Sequence, residues 1–213
     1  MNFLTLKQRV LNKLNESSSA PQFWSLTDIG DFINEAYTDI TSGVKLLEKS
    51  TTLSTVANQM IYSLASDCLE ITRMYYETND HLINPMSFDD LVKIDNWFSN
   101  TTDTYPYYRI HNVGTQKALL YPKVNTSEST CITYWYKYFP SDMSDDDTSP
   151  SMPKTFHDAL IDYACFVALL RGRSSQGKAK AKLFLDSYSE KKSRLESLTL
   201  NQVNRIQQLG AWG

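Results

Sequence analysis

The octapeptide Gly172-Arg173-Ser174-Ser175-Gln176-Gly177-Lys178-Ala179 comes nearest to a catalytic motif in this sequence. It matches a phosphate-binding loop as far as the lysine, with glycines that let the backbone wrap an anion and an ammonium that reaches the phosphates. The next position needs a Ser or Thr hydroxyl for magnesium and carries Ala179 instead. An apolar helical pattern precedes it where the motif requires a strand. A turn between two helices accounts for the same residues: glycines end one helix and cations solvate the next. His157, Asp158 and Asp162 suggest a metal site or acid–base chemistry. The two carboxylates are a helical turn apart, but His157 projects about 100° away from Asp158, and a metal needs three or four convergent ligands. The spacing predicts exposed or capping groups at a helix start, where the dipole favours carboxylates. His81 and His111 fall in turns without companions. The run Asp142, Asp145, Asp146, Asp147 lacks the glycine and final glutamate of a calcium-binding loop and reads as a solvated linker. There is no Gly-x-Ser-x-Gly elbow and no Cys-x-x-Cys pair. No catalytic, metal-binding or cofactor-binding residue is expected, and no cofactor.

Two other features could serve binding. Tyr105, Tyr107, Tyr108, Tyr134, Tyr136 and Tyr138 could stack bases, but strands recruit tyrosine for packing anyway. From Arg171 to Arg194 there are eight cations and only two acids, Asp186 and Glu190. Such a run is a solvated helix face, or a surface for an acidic partner or a DNA backbone. The formal net charge of -3 over 213 residues speaks against a nucleic-acid binder, which usually shows a dominant basic face. With 41% hydrophobic residues the chain can bury a core, and one domain, or one with an insertion, is expected. No apolar run approaches the roughly 18 residues of a membrane span, and the start lacks the layout of a signal peptide. Three widely spaced cysteines (Cys68, Cys131, Cys165) suggest a reducing compartment.

The elements that must position these residues follow from periodicity. Thr5 with Gln8 fits a capping box before Leu6, Val10, Leu11 and Leu14. Ser25 with Asp28 opens a second helix, with Ile29, Phe32, Ile33, Ala36, Tyr37 and Ile40 on one face, ending near Gly43. From Thr51 the period becomes two. Thr51–Val56 and Met60–Leu64 read as a hairpin turning at Ala57-Asn58-Gln59. Cys68–Tyr76 is a longer strand with Leu69, Ile71, Arg73 and Tyr75 on one side. Ser87 with Asp90 caps a short helix, and Asn96–Tyr105 is an exposed loop apart from Trp97 and Phe98. Tyr107–His111 and Lys117–Tyr121 are strands, as is Thr130–Phe139, where both faces are bulky and so covered. After Pro140–Pro153 a helix over 156–170 is apolar on nearly every side and must be central. A last helix spans Lys178 to about Leu198, and Asn201–Gly213 is a tail that orders on a partner. Segregation of helices and strands argues α+β. The expectation is a helical bundle built from both chain ends (1–50 and 151–200), an inserted antiparallel β-rich region with the acidic linker (51–150), and an extended C-terminal docking tail (201–213).

This order of signatures resembles a known family. A capped helix opens Trp24-Ser25-Leu26-Thr27-Asp28-Ile29 and continues Phe32-Ile33-Asn34-Glu35-Ala36-Tyr37-Thr38-Asp39-Ile40. The alternating stretch 51–64 follows, then Asp67-Cys68-Leu69-Glu70-Ile71-Thr72-Arg73-Met74-Tyr75-Tyr76. Next come a strand pair ending Leu119-Leu120-Tyr121-Pro122 and the segment Met152-Pro153-Lys154-Thr155-Phe156-His157-Asp158-Ala159-Leu160-Ile161-Asp162-Tyr163-Ala164. Over residues 4–198 the chain is similar to the head-to-tail adaptor (connector) proteins of tailed bacteriophages. The resemblance implies a structural virion protein of the neck, not an enzyme, assembled in the host cytoplasm. It implies a ring, commonly of about twelve copies, below the portal, with a tail or nozzle protein beneath. DNA would pass through the channel without sequence-specific binding, and no membrane is involved. It also implies a C-terminal tail that docks into the portal, here through Asn201, Arg205, Ile206, Leu209 and Trp212. A ring needs two complementary flanks; Asp145, Asp146 and Asp147 against Lys191, Lys192 and Arg194 could supply them. Other neck components, a stopper or a tail terminator, share these needs, and a nucleic-acid-binding protein stands behind them.

Overall fold

The structure, a computed structural model, describes residues 1–16, 23–44, 46–77, 80–112, 115–172 and 175–210; at 112, 175–176 and 200–210 it describes the backbone alone. The fold is mixed α+β, with helices and mainly antiparallel sheets. The chain forms two compact units, Met1–Leu47 with Pro140–Gly213, and Glu48–Phe139.

The first unit holds four long helices: α1 (Phe3–Lys13), α2 (Leu26–Val44), α4 (His157–Arg171) and α5 (Ser175–Gly210). Helix α1 starts before the expected capping box. Its N-cap is Asn2, whose side chain accepts from the Thr5 N–H. The earlier start brings Phe3 onto the face of Leu6 and Val10, and all three are buried. The helix ends in a Schellman turn: Asn15 takes a left-handed φ of 62°, and Glu16 N–H reaches Leu11 O at 2.9 Å. At α2 the reciprocal Ser25–Asp28 box forms as read, with Asp28 N–H to Ser25 Oγ at 3.0 Å and Ser25 N–H to Asp28 Oδ2 at 3.1 Å. Helix α4 follows a single 3-10 turn (Lys154–Phe156) and packs on α1, α2 and α5, which explains why almost every face of it is apolar. Helix α5 meets the other helices through Ala181, Tyr188 and Leu195, seven residues apart. Its backbone stays helical to Gly210, where an extended tail was expected. No proline and no glycine interrupts it between Lys178 and Leu209, and Gln, Leu and Arg are good helix formers.

The stretch after the strands is acidic but not loose. Phe3 N–H donates to Thr148 O at 2.7 Å and Leu4 N–H to Asp146 O at 3.1 Å. The Asn34 amide brackets the Met143 backbone, donating to its carbonyl and accepting from its N–H. Met143, Pro150 and Met152 are buried while the aspartates between them face water.

The second unit contains β1 (Glu48–Thr55), β2 (Ile61–Ser63), β3 (Cys68–Tyr76), β4 (His81–Leu82), β5 (Asn84–Pro85), the short helix α3 (Phe88–Leu91), β6 (Thr101–Thr102), β7 (Tyr108–Asn112), β8 (Lys117–Tyr121), β9 (Lys123–Val124) and β10 (Glu128–Tyr138). Two four-stranded sheets run β1-β10-β3-β4 and β2-β8-β7-β5; β6 and β9 make a two-residue parallel pair, and β5 meets β7 in parallel. The expected 51–64 hairpin does not form. Strand β1 pairs with β10 and β2 with β8, so the chain changes sheet at Asn58, which has a left-handed φ of 60°. Alternation specifies a strand and its inner face, not its partner. The face expected for β3 also fails. Cys68, Ile71, Met74 and Tyr76 are the buried residues, because Leu69 and Thr72 are bulged against β10 and each bulge reverses the parity. His81, expected in a turn, lies in β4, and His111 lies in β7, within the strand expected over Tyr107–His111 and not in a turn.

The core of this unit draws Ile71, Met74, Ile132, Tyr134 and Tyr136 from one sheet and Tyr62, Ala118 and Leu120 from the other. Ile132 is fully buried at its centre. Ile132→Ala should cost about 2–5 kcal/mol by lost transfer energy and an unfilled cavity, seen as an earlier urea midpoint for the β-rich unit with an unchanged slope.

Candidate functional site

The residues singled out for chemistry do not assemble into a reaction centre. Gly172 closes α4 and α5 begins at Ser175, so a helix precedes the glycine-rich octapeptide and its last five residues are themselves helical; Arg173 and Ser174 lie outside the described residues. His157, expected to be an exposed or capping group, is only 2% accessible. Its Nδ1 is 3.0 Å from the Met1 amino nitrogen and its Nε2 is 3.1 Å from Met152 O. Burial pushes its pKa down, holding the ring neutral. Helical spacing did not reveal these partners because one is the chain's first residue, 156 positions away, and the other is backbone just before the helix. Asp158 is exposed, while Asp162 is buried among cations. Among the described residues no group of three or more His, Cys, Asp or Glu comes together to hold a metal, and no helix is long and apolar enough to cross a membrane. The three cysteines are free and buried; burial pushes the Cys68 thiol up to about 11 and the Cys165 thiol up to about 12. Tyr134 and Tyr136 are core residues, the first accepting from Ala65 N–H at 3.0 Å and the second donating to Asp67 at 3.2 Å. They are not available to stack bases.

The basic side of α5 divides into two parts. Lys191 and Lys192 are committed within the chain. Lys191 and Lys13 both bind the Asp162 carboxylate, Lys13 at 2.7 Å, and Ser187 Oγ donates to it at 2.7 Å. Burial alone would raise the Asp162 pKa; the donors from Lys13, Lys191 and Ser187 outweigh it and hold the carboxyl below its ordinary value. Lys192 binds Asp39 at 2.8 Å, and Tyr188 donates to the same oxygen. Carboxylates from α2 and α4 thus clamp the middle of α5. Arg194 is exposed and makes no ion pair among the described residues. Of the linker acids, Asp146 binds Lys7 at 2.5 Å, Asp145 accepts from Asp147 N–H at 3.1 Å, and all three are exposed. The side chains of Asn201, Arg205, Ile206 and Leu209, and all of Trp212, lie outside the described residues.

Two apolar surfaces stand out that residue spacing did not identify as sites. In the β-rich unit Phe88, Val92 and Phe98 are 53%, 47% and 70% exposed. The Phe88 and Phe98 rings each meet Trp97 edge-to-face, with centroids 6.1 Å and 5.5 Å from it. In the helical unit the residues just after α1, those just before α2, the end of α4 and the start of α5 leave an apolar groove of about 280 Å³. Leu14, Phe23, Trp24, Ala168 and Leu169 line it with Gly172 and Gly177. The signal for the first was Trp97 and Phe98 in an otherwise polar loop; the groove needs four separate chain segments and leaves no local signature.

An assembly of well-clamped helices, a separate β-rich unit and exposed apolar surfaces suits a protein that joins others. Among curated proteins no match is found. A family model described as SU10 adaptor protein matches residues 1–208, spanning both compact units. The chain therefore belongs to the SU10 adaptor family, a family of phage head-to-tail adaptors, and is a structural component of the virion.

Proposed function

We propose that the protein forms a ring below the portal and joins it to the tail or nozzle around the DNA channel. The family match over 1–208 carries this reading. In it, residues 1–50 and 151–200 are the ring's helical body, 51–150 is an insertion, and 201–213 docks into the portal through Asn201, Arg205, Ile206, Leu209 and Trp212. DNA passes without sequence-specific contact, in keeping with a net charge of -3. Native mass spectrometry of portal rings mixed with the full chain tests it. Several copies per portal ring are expected; a single copy, or none, would contradict it.

Lateral contact between ring neighbours is proposed to pair Asp145, Asp146 and Asp147 with Lys191, Lys192 and Arg194. The internal pairing of Lys191, Lys192 and Asp146 leaves Arg194, Asp145 and Asp147 as the clean positions to test. Arg194→Glu should weaken ring closure without moving the melting temperature by more than about 1 °C, because it is a surface change. Combining it with Asp147→Lys should restore closure. Native mass spectrometry reads the copy number; unchanged assembly in the single variant would remove this contact.

A further inference from the structure

The apolar groove of the helical unit has a cationic surround. Arg171, Lys178, Lys180 and Lys182 are all exposed, and the sequence holds no Asp or Glu from 171 to 185. The one acid in its lining, Glu16, turns inward to accept the Phe23 and Trp24 N–H groups at 3.2 and 3.4 Å, and Asp28, near enough to feel the Arg171 charge, is held in its reciprocal cap with Ser25. The aromatic surface of the β-rich unit has the opposite rim. Residues 86–103 carry four exposed acids, Asp89, Asp90, Asp95 and Asp103, against Lys93, which is bound to Asp90 at 2.9 Å; Lys123 adds a second cation, its Nζ 5.1 Å from the Phe98 ring centre, so acids still outnumber cations at this surface. The groove has room for an aromatic side chain and is smaller than most small-molecule pockets. Exposed aromatics rimmed by charge are what binding hot spots are made of.

We propose that this groove receives the Phe98 aromatic surface of a second copy of the chain. The contact is heterologous. Pairing either surface with itself across a two-fold axis would set like charges together, whereas groove against aromatic surface sets acids against cations. Repeated head-to-tail, such a contact closes into a ring. The proposal rests on the ring reading above and adds an apolar pair of faces to the charged pair proposed there.

Two full-length variants test it on portal rings, counted by native mass spectrometry and electron microscopy. Phe98→Asp and Phe23→Asp change residues that are 70% and 68% exposed, so each should keep the wild-type melting temperature. Each should bind the portal as single copies, with the concentration needed for complete rings raised ~10-fold or more. An equal mixture of the two should give adjacent pairs and no longer runs, because only one kind of junction retains both intact faces. Asp95→Lys should act like Phe98→Asp and provides the readout if that variant misfolds. Complete rings from either variant at wild-type concentration would overturn the pairing while leaving the ring reading intact. Loss of single-copy binding in Phe23→Asp would place the groove against the portal and overturn it as well. Failure of the wild-type chain to form rings would overturn both.

Discussion

Removal of residues 201–213 is expected to abolish portal binding and leave the fold intact. The buried contacts of α5 are Ala181, Tyr188 and Leu195, all N-terminal to the cut, and Leu198 is already 47% exposed. The truncated chain therefore loses none of the described core, and its melting temperature should stay within about 2 °C of wild type. Binding should weaken ~100-fold or more, because a terminal segment with one large aromatic anchor concentrates affinity in few residues. Trp212→Ala in the full chain should lose most of that affinity alone. The helical backbone over 201–210 bears on the size of the effect: a helix already formed has less conformational entropy to lose on docking than an extended tail. Surface plasmon resonance against immobilised portal rings measures it. Retained binding by the truncated chain would move the docking surface elsewhere.

Asp162→Ala is expected to destabilise the helical unit strongly. The carboxylate is 3% exposed and receives Lys13, Lys191 and Ser187, so one side chain of α4 ties down α1 and α5. Its loss should cost about 3 kcal/mol, the low end for breaking a buried pair, because both lysines are partly exposed and can turn to water. That corresponds to a fall of roughly 10 °C in the melting temperature of the helical unit. The sign with pH follows from the depressed pKa. The unfolded chain holds the proton more tightly, so this stabilisation is present above pH ~4 and is lost as pH falls through the folded value. Asp39 and Glu48, also depressed, add in the same direction: burial works against them, and Lys192 with Tyr188, and Lys137 with Arg73, outweigh it. Melting curves from pH 3 to 6 should show acid loss in wild type and a shallower slope in Asp162→Asn. An equal slope in both would show that Asp162 does not carry it.

Much of the helical unit was legible because local chemistry decides it. The Ser25–Asp28 cap, the Ile29 to Ile40 stripe and the all-round apolar α4 each depend on neighbours within a few turns. The β-rich unit was legible as strands and not as pairings, since β1 finds β10 some eighty residues away and bulges at Leu69 and Thr72 shift its neighbour's inward face. His157 and Asp162 escaped local reading for the same reason: Met1 against the first, and Lys13 and Lys191 on the second, come from other segments. Charge counting found the basic run of α5 but could not separate Lys191 and Lys192, which are used internally, from Arg194, which faces water. The cation-rimmed groove was out of reach altogether, as its walls come from separate stretches, 14–16, 23–24, 168–172 and 177, that only the packed helices bring together.

Electron microscopy of purified portal rings mixed with the full chain is the most direct measurement. A closed ring of this protein beneath the portal, with neighbouring copies in head-to-tail contact and the C-terminal segment running up into portal density, is the expected image. Portal rings left bare at saturating protein, or decorated by scattered copies with no lateral contact, would contradict the account.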